Sequence, residues 1–375
     1  MTRVLATAAL CPPGPPRPGW VVLDDGVIVD VGTGAAPAAA VDLDSAVLAP
    51  GFVDLQVNGV EDVDFASADA DAWRRAGRAQ LEHGVTAYCP TFVTAPLDEY
   101  ASSMARARNA RHDADDRPLP AIIGVHLEGP FLGGAPGAHP VSLVRDADCD
   151  WLRHVLDTFP DVVTVVTLAP EADPGFAATR LLRERGVNVA LGHSTATYEQ
   201  ALAAADAGAS LVTHLFNGMG PMHHREPGLA GAALDDDRLT ATLIADLVHV
   251  HPAALRLAIE RKPNVALVTD AVALGAGHTS VDTDAPRRAD GTLVGSALSM
   301  DRAVRNTVRL GVPVQRAIEM ATTVPARALG LTDRGRIAPG MRADLVALDP
   351  DSLEVLAVWL DGELAHQGKG PARRL

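Results

Sequence analysis

The chain has 375 residues, 47% hydrophobic and 21% charged, a composition that excludes an extended disordered chain and predicts one large core with a small additional domain. The formal charge of -15 and the lack of a basic run exclude nucleic acid and anionic membranes as expected partners. The sequence shows no membrane span, no secretion signal and three cysteines without paired spacing, so we expect a cytoplasmic protein with reduced thiols.

Residues 20–30, near the N-terminus, predict a β-hairpin. Asp24-Asp25-Gly26 has the residue types of a tight turn, because these residues tolerate the backbone angles that such turns require. Apolar, β-branched residues flank the turn on both sides. We expect these strands to pair with strands from the other end of the chain.

After residue 50, short apolar runs alternate with alanine-rich, helix-compatible stretches, a pattern typical of repeated βα units and a parallel sheet. The eight runs are residues 52–57, 85–91, 121–128, 162–168, 187–193, 210–215, 241–246 and 265–270. They predict an α/β fold with a (β/α)8 TIM-type barrel, whose reactive groups lie at the C-terminal strand ends. Most of the runs finish with a polar side chain, so these side chains should share one rim.

The C-terminal part of the chain predicts two helices and two late strands. The helices are expected at residues 299–310 and 314–329, with Gly330 as the C-cap of the second, and the strands at 342–348 and 354–359. We expect both chain ends to form one small β-sandwich domain. The predicted domains are residues 1–50 with 336–375 for the small β domain and residues 51–335 for the catalytic barrel.

Three of the predicted strands end in a residue type that binds divalent metals. Glu128 ends the third run, His193 the fifth and His214 the sixth. One carboxylate and two imidazoles are a ligand set of catalytic zinc, with one position left open for water. Such a metal lowers the pKa of the bound water to about 7 and so makes a nucleophile at neutral pH. A single strand-end histidine is more often structural, whereas three such residues favour a metal site.

The eighth predicted strand ends in Asp270. One interpretation is structural, an N-cap for the following segment. The functional interpretation is a general base that takes a proton from the activated water and then delivers it to a leaving amine. Amide hydrolysis needs the second step, because an unprotonated amine leaves poorly. The sequence favours the functional interpretation and leaves the structural one open.

Seven ordered motifs resemble those of the N-acetylglucosamine-6-phosphate deacetylases in the amidohydrolase superfamily. They are PGFVDLQVNG (50–59), HLEGPF (126–131), LGHS (191–194), THLFN (213–217), REPGL (225–229), LVTDA (267–271) and GMRADL (340–345). Each motif alone is weak, whereas seven in this order are specific. The resemblance implies a phosphorylated amino-sugar substrate and a homodimer, or a dimer of dimers, in which the partner helps to close the site.

The resemblance also implies roles for individual residues. It assigns the metal to Glu128, His193 and His214, acid and base catalysis to Asp270, and polarisation of the acetyl carbonyl to His249. The implied substrate-binding residues are Gln56 and His139 near the sugar, Asn217, Gly218 and Arg225 at the phosphate, and His249 at the acetyl group. A guanidinium group suits phosphate by geometry and charge, so Arg225 would supply a local positive site in this acidic protein.

The chain departs from those superfamily members that hold two metals, which have His-x-His at the end of the first strand and often a carboxylated lysine on the fourth. Here the first strand ends with Gln56-Val57-Asn58, and neutral amides are poorer metal ligands than imidazole. The chain's two lysines, Lys262 and Lys369, lie far in sequence from the fourth strand. We therefore expect one divalent metal ion per subunit, with Zn²⁺ favoured over Fe²⁺, Co²⁺ or Mn²⁺.

Two loops carry predicted site residues. Asp246-Leu247-Val248-His249 replaces a more usual Asp-Gly-x-His, so the loop that carries His249 needs a conformation compatible with Leu247. The loop 133–137 before His139 is glycine-rich, and it is either a lid or an ordinary connection.

The predicted reaction is hydrolysis of the acetamide of N-acetyl-D-glucosamine 6-phosphate to glucosamine 6-phosphate and acetate. The alternatives within the enzyme class are the galactosamine epimer as substrate and another amidohydrolase reaction, such as cyclic-amide hydrolysis. The missing His-x-His and strand lysine count against the latter. A non-catalytic amidohydrolase-like binding or scaffold protein is the alternative of another class, and the joint presence of Glu128, His193, His214 and Asp270 argues against it.

Overall fold

A computed structural model describes residues 2–11, 14–37, 40–113, 118–274 and 285–368. The first five strands are Arg3–Leu10 (β1), Arg17–Asp24 (β2), Val27–Gly32 (β3), Val41–Asp42 (β4) and Val47–Pro50 (β5). β2 and β3 form the predicted antiparallel hairpin, with Val22 opposite Asp30. Asp25 and Gly26 in its turn have positive φ angles, as their residue types indicated.

Eight strand positions form a parallel barrel, which confirms the predicted (β/α)8 fold. The next strands in chain order are Phe52–Val57 (β6), Gly59–Val60 (β7), Val63–Asp64 (β8), Val85–Val93 (β9), Ala121–Ile122 (β10), Val125–Glu128 (β11), Val163–Leu168 (β12), Asn188–Leu191 (β13), Leu211–Val212 (β14), Thr240–Ile244 (β15) and Val265–Val268 (β16). β7 and β8 form a separate ribbon, and β10 and β11 share the third barrel position by both pairing with β9.

The barrel closes between its first and last strands at the rim that carries the predicted site. Asp270 N donates to Gln56 O over 2.8 Å, and Asn58 N donates to Ala271 O over 2.7 Å. Below these contacts, Thr269 Oγ1 donates to the buried carboxylate of Asp54 over 2.6 Å. These hydrogen bonds fix the end of β16 against β6.

The helices alternate with the barrel strands, as βα units require. The described α-helices are Ala70–Glu82 (α1), Tyr100–Arg111 (α2), Cys149–Thr158 (α3), Ala177–Glu184 (α4), Tyr198–Ala207 (α5), Gly228–Asp235 (α6), Pro252–Arg261 (α7), Met300–Arg309 (α8), Val314–Ala321 (α9) and Thr323–Ala328 (α10). Side chains cap several N-termini; for example, Thr197 and Gln200 form a capping box at α5. No helix in the described ranges combines the length and apolarity that crossing a membrane needs.

The prediction of one helix over residues 314–329 is wrong. The structure has two helices there, because Thr322 interrupts them with φ -133° and ψ -77°. Pro325 explains the break, since its ring clashes with the carbonyl four residues earlier, here that of Ala321, and it has no N–H to donate. Gly330 follows α10 with φ 70°, as expected of a glycine that ends a helix.

The two ends of the chain share one eight-stranded sheet, which confirms the predicted small β domain. Its last strands are Leu345–Leu348 (β17), Val355–Leu360 (β18) and Glu363–Gln367 (β19), and β17 pairs antiparallel with β5. Leu23, Leu48 and Trp359 belong to a separate apolar core of this sheet. The limits 1–50, 51–335 and 336–375 stay a prediction, and residues 369–375, with Lys369, lie outside the described residues.

Candidate active site

The C-terminal ends of three barrel strands bring one carboxylate and two imidazoles together. Glu128 is the last residue of β11, while His193 and His214 follow β13 and β14. Glu128 Oε1 lies 2.9 Å from His193 Nε2 and 3.0 Å from His214 Nε2, and the two imidazole nitrogens are 3.1 Å apart. All three side chains are buried. The residues predicted to hold a metal therefore converge on one point.

Unusual backbone conformations mark the same positions. His193, His214 and Asp270 have φ angles of 50°, 30° and 48°. A residue with positive φ leaves the extended conformation, so the strands predicted to reach these residues end two residues earlier. Such conformations cost about 1–3 kcal/mol each and cluster at functional sites. The shortened strands thus coincide with the candidate site.

A third buried imidazole adjoins this cluster. His139 Nε2 lies 4.0 Å from Glu128 Oε1, and its ring packs edge-on against His193 with a centroid distance of 4.3 Å. Glu128, His139 and His193 together offer ligand atoms within 4.8 Å of one another. The resemblance placed His139 near the sugar. The sequence did not indicate that His139 lies beside Glu128 and His193, because this histidine is in a loop and not at the end of a predicted strand.

Amides of the first barrel strand hold the two acidic groups of the site. Gln56 Nε2 donates to Glu128 Oε1 and to Asp270 Oδ1, in each case over 3.1 Å. Asn58 Nδ2 donates to Asp270 Oδ1 over 2.8 Å. Asp270 caps no helix in the described chain, since the next described helix is α8. The structural interpretation of Asp270 is therefore not supported.

The two carboxylates have opposite electrostatic environments. Burial and the nearby charge of Glu128 raise the pKa of Asp270 to about 6. Burial also favours a higher pKa for Glu128, but hydrogen bonds from His193 and His214 outweigh it and hold the pKa of Glu128 well below its ordinary value. Glu128 is thus suited to bind a cation and Asp270 to exchange a proton, a division of roles that is common among paired catalytic acids.

Asp246 orients His249 in the loop after β15. His249 Nδ1 lies 2.6 Å from Asp246 Oδ2, and Asp246 Oδ1 accepts the backbone N–H groups of Val248 and His249, each over 2.9 Å. Leu247 has a φ of 68°. The leucine therefore adopts the left-handed conformation that a glycine would take without strain, and His249 keeps a defined position.

A cavity of about 560 Å³ opens at this rim. The predicted site residues in its lining are Glu128, His139, His193, His214, Asn217, Gly218, His249 and Asp270. Gln56 is not part of the lining, because its amide lies between Glu128 and Asp270. Sequence reasoning missed other lining residues, among them the two arginines Arg287 and Arg288, which lie in the loop after the eighth strand, where no motif points to them.

Arg225 does not join the cavity of its own subunit. Its side chain is exposed, and its Nη1 lies 2.9 Å from the ring nitrogen Nε2 of His224. Arg225 is not among the residues that line the cavity. The predicted phosphate contacts are therefore split, with Asn217 and Gly218 at the cavity and Arg225 on the outer surface.

The converging donors fit a divalent transition metal. One oxygen and two imidazole nitrogens are the ligand types of catalytic zinc. Ala135 O lies 3.3 Å from His193 Nδ1, a contact that places a proton on Nδ1 and leaves Nε2 free to bind. Glu128 Oε1 and the Nε2 atoms of His193 and His214 lie within 3.1 Å of one another, so these three atoms could hold one divalent ion together.

Relatives of known function place this geometry in a family. The amidohydrolase family profile matches residues 47–365. The N-acetylglucosamine-6-phosphate deacetylase of Bos taurus is 42% identical over 355 residues, covering 87% of this chain and 85% of the relative. The N-acetylgalactosamine-6-phosphate deacetylase of Escherichia coli O157:H7 is 38% identical over 384 residues, covering 97% of this chain and 100% of the relative.

Solved structures agree with the sequence relatives. A mutant N-acetyl-D-glucosamine-6-phosphate deacetylase from Mycobacterium smegmatis, in complex with N-acetyl-D-glucosamine-6-phosphate, has a TM-score of 0.89 and 37% identity over 97% of this chain and 99% of that one. The Pasteurella multocida enzyme of the same name has a TM-score of 0.90 and 29% identity over 98% and 100% of the two chains. The resemblance indicated by the seven motifs is confirmed, and the chain belongs to the amidohydrolase family.

Proposed function

We propose that this protein hydrolyses the acetamide of N-acetyl-D-glucosamine 6-phosphate to glucosamine 6-phosphate and acetate. The observation that carries the proposal is the convergence of Glu128, His193 and His214 beside Asp270 in one cavity at the active rim of the barrel. Relatives that match most of the chain bear the name of this activity. Both the side chains of the site and the relatives of the chain therefore support this reaction.

The proposed ligands of one divalent metal ion are Glu128, His193 and His214. A bound divalent ion of this kind supplies a water of lowered pKa and a Lewis acid for the amide carbonyl. Zn²⁺ suits the nitrogen and oxygen donors best, and Fe²⁺, Co²⁺ and Mn²⁺ are alternatives. A single ion is proposed because the amide of Gln56, rather than an imidazole, occupies the end of the first strand and hydrogen-bonds both carboxylates.

Asp270 is proposed to move the protons of the reaction. Its raised pKa of about 6 lets it accept a proton from the attacking water at neutral pH and hold it for the leaving nitrogen. Gln56 and Asn58 both donate to Asp270 Oδ1, which leaves Oδ2 for the proton. The deacetylated amine can then leave in its neutral form.

His249 is proposed to polarise the acetyl carbonyl. Its Nδ1 donates to the Asp246 carboxylate over 2.6 Å, which leaves Nε2 for the substrate oxygen; Nε2 donates there when the ring carries a proton on both nitrogens. His139 is proposed to contact the sugar from the opposite loop. Gln56 supports the site by holding the carboxylates rather than by lining the cavity.

The phosphate is proposed to bind at Asn217 and Gly218, with Arg225 supplied by the partner subunit of a homodimer. Asn217 and Gly218 line the cavity, whereas Arg225 is exposed and is not part of the lining of its own chain's cavity. A guanidinium group on the outer surface can serve a neighbouring copy by the fork geometry that phosphate favours. Soluble, cytoplasmic amino-sugar metabolism is the setting that this substrate implies.

The galactosamine epimer is the second candidate substrate. A relative whose match covers 97% of this chain and 100% of its own length is an N-acetylgalactosamine-6-phosphate deacetylase. The two sugars differ at one hydroxyl, so the side chains that face the sugar decide between them.

One assay tests the proposal and its alternatives. Acetate release by the purified, zinc-loaded protein is measured with N-acetylglucosamine 6-phosphate, its galacto epimer and unphosphorylated N-acetylglucosamine. We expect the highest kcat/KM for the first. A preference for the galacto epimer would select the second candidate, and equal rates with and without phosphate would exclude a phosphate site. No turnover of any of them by metal-loaded protein would leave a binding or scaffold protein.

A further inference from the structure

Glu171 lies in the 3-10 turn Pro170–Ala172 that follows β12, close to His193 but outside the proposed ligand set. Its Oε1 accepts the backbone N–H of Thr195 over 2.7 Å and that of Gly134 over 3.2 Å. Its Oε2 accepts the hydroxyl of Ser194 over 2.6 Å. One carboxylate thus joins the loop after β11 to the residues that immediately follow His193.

Two glycines at the start of this loop pack too closely against their neighbours to carry side chains. A Cβ atom at Gly133 would lie 1.9 Å from Glu171 Oε1, and one at Gly134 would lie 2.5 Å from Thr195 Oγ1. Neither distance is compatible with van der Waals contact. The glycines of residues 133–137, called here the glycine loop, therefore permit a close approach to Glu171.

The glycine loop in turn holds His193. Gly133 N donates to His193 O over 2.8 Å, and Ala135 O lies 3.3 Å from His193 Nδ1. The second contact keeps a proton on Nδ1, so that Nε2 is the nitrogen that can exchange its proton for a metal ion. At its far end the loop leads to His139, whose Nδ1 lies 2.8 Å from Thr94 Oγ1.

We propose that Glu171 is a positioning residue: it clamps the glycine loop onto His193 and thereby sets the orientation and tautomer of that imidazole. The effect on metal binding rests on the proposed function, because that proposal makes His193 a ligand. The clamp itself does not, since its hydrogen bonds are present in the protein alone. The glycine loop is accordingly a fixed support of the site rather than a lid.

The first experiment measures hydrogen exchange of residues 133–139 by mass spectrometry on metal-free protein. Glu171→Ala removes the acceptor of four donors, one of them the N–H of Gly134, so exchange in this segment should rise about tenfold. Glu171→Gln keeps one carbonyl oxygen for the backbone N–H groups and should lie between the wild type and Glu171→Ala. Glu260→Gln, at an exposed position of α7, is the matched control and should exchange as the wild type does.

The second experiment measures zinc affinity by competition with a chelator. Loss of a group that orients a metal ligand typically weakens affinity about 10–100-fold, and we expect this for Glu171→Ala with partial recovery in Glu171→Gln. Gly133→Ala keeps the Glu171 carboxylate in the protein but forces it and the loop apart, so it should reproduce both effects. The thermal midpoint of each metal-free variant, compared with that of Glu260→Gln, separates a local from a global change.

The outcomes are distinct. Wild-type exchange of the glycine loop in Glu171→Ala would overturn the clamp, and so would an equal rise of exchange across the whole barrel. Unchanged zinc affinity with a loosened loop would overturn the link to His193. Neither measurement uses substrate, so a protein that fails to hydrolyse N-acetylglucosamine 6-phosphate would contradict the proposed function and leave the clamp standing.

Discussion

Glu128 and Asp270 are both buried carboxylates, and the amide of Gln56 connects them. Hydrogen bonds from imidazole nitrogens favour the charged form of Glu128, whereas burial and the charge of Glu128 favour the protonated form of Asp270 and outweigh the amide donors beside it. The residue type therefore does not decide the role of either group. The neighbours that the barrel brings to each carboxylate decide it.

Asp270→Asn keeps the shape of the side chain and removes its ability to take a proton. We expect kcat/KM to fall by about 10²–10⁴, because positioned acid–base groups contribute about that factor. Zinc content should stay at the wild-type level, since Asp270 lies outside the proposed ligand set. Acetate release and metal analysis check both statements, and near wild-type activity would contradict the role of Asp270.

The pH profile tests the same residue. The base must be deprotonated, and the pKa of Asp270 is raised from 3.8 to about 6. The kcat/KM of the wild type should therefore decline as the pH falls through about 6, while the residual activity of Asp270→Asn should lack this acid limb. An acid limb that is the same in both proteins would assign it to another group.

The positive φ angle of Leu247 strains the backbone, and substitutions at this position can measure the strain. Leu247→Gly and Leu247→Ala both lose the packing of the leucine, but only glycine relaxes the positive φ of 68°. We expect the glycine variant to be more stable by about 1 kcal/mol in urea denaturation. Val248, next to it, has no positive φ, so the same pair of substitutions there should give the opposite order. Greater stability of Leu247→Ala would refute the strain.

At the scale of elements, the backbone conformation of single residues decides where strands and helices end. Barrel strands stop short of His193, His214 and Asp270 because these residues leave the extended conformation. The helix expected over 314–329 divides at Thr322 because Pro325 excludes continuous hydrogen bonding. The first and last strands meet through few backbone pairs, and the side chain of Asp54 adds the contact with Thr269.

Asp54 makes the closure of the barrel depend on pH. Burial raises the pKa of this carboxyl from 3.8 to about 7. The folded state thus holds the proton more tightly than the unfolded state, so the stabilisation from this group is full below pH 3.8 and is lost as the pH rises to about 7. Asp54→Asn removes this dependence.

We therefore expect Asp54→Asn to gain stability relative to the wild type between pH 4 and 7, by on the order of 4 kcal/mol. The measurement is the free energy of unfolding in urea at a series of pH values, with the exposed Asp351→Asn as control. A constant difference between Asp54→Asn and the wild type over this range would show that Asp54 is ionised in the folded protein throughout.

At the scale of the whole molecule, the site lies at the C-terminal rim of the barrel and outside the apolar cores. The barrel has its own large apolar core, and the sheet made by both chain ends has a second one. Neither core includes the cluster of Glu128, His193 and His214. The fold can therefore persist when the proposed metal is removed.

Metal removal tests this separation. Treatment with a chelator should abolish acetate release while circular dichroism stays unchanged, and Zn²⁺ should restore the activity. Zinc at about 100 times its dissociation constant should stabilise the folded protein by about 2.7 kcal/mol, and His193→Ala should lose most of this gain. Full activity after exhaustive metal removal would refute the proposed metal dependence.

The sequence alone determined the barrel, the hairpin and the pairing of the chain ends, because hydrophobic periodicity and turn residues are local signals. It also identified Glu128, His193, His214 and Asp270, since each ends a predicted strand. That these four side chains would meet followed from the predicted barrel, in which strand ends share a rim.

Only the tertiary structure decided what lies between and around these residues. It placed the Gln56 amide between two acids and His139 beside Glu128. It also placed Arg225 outside the cavity of its own chain and Glu171 in contact with the glycine loop. Each of these contacts joins segments far apart in the chain. Their geometry depends on loop conformations and close packing, which local sequence patterns do not encode.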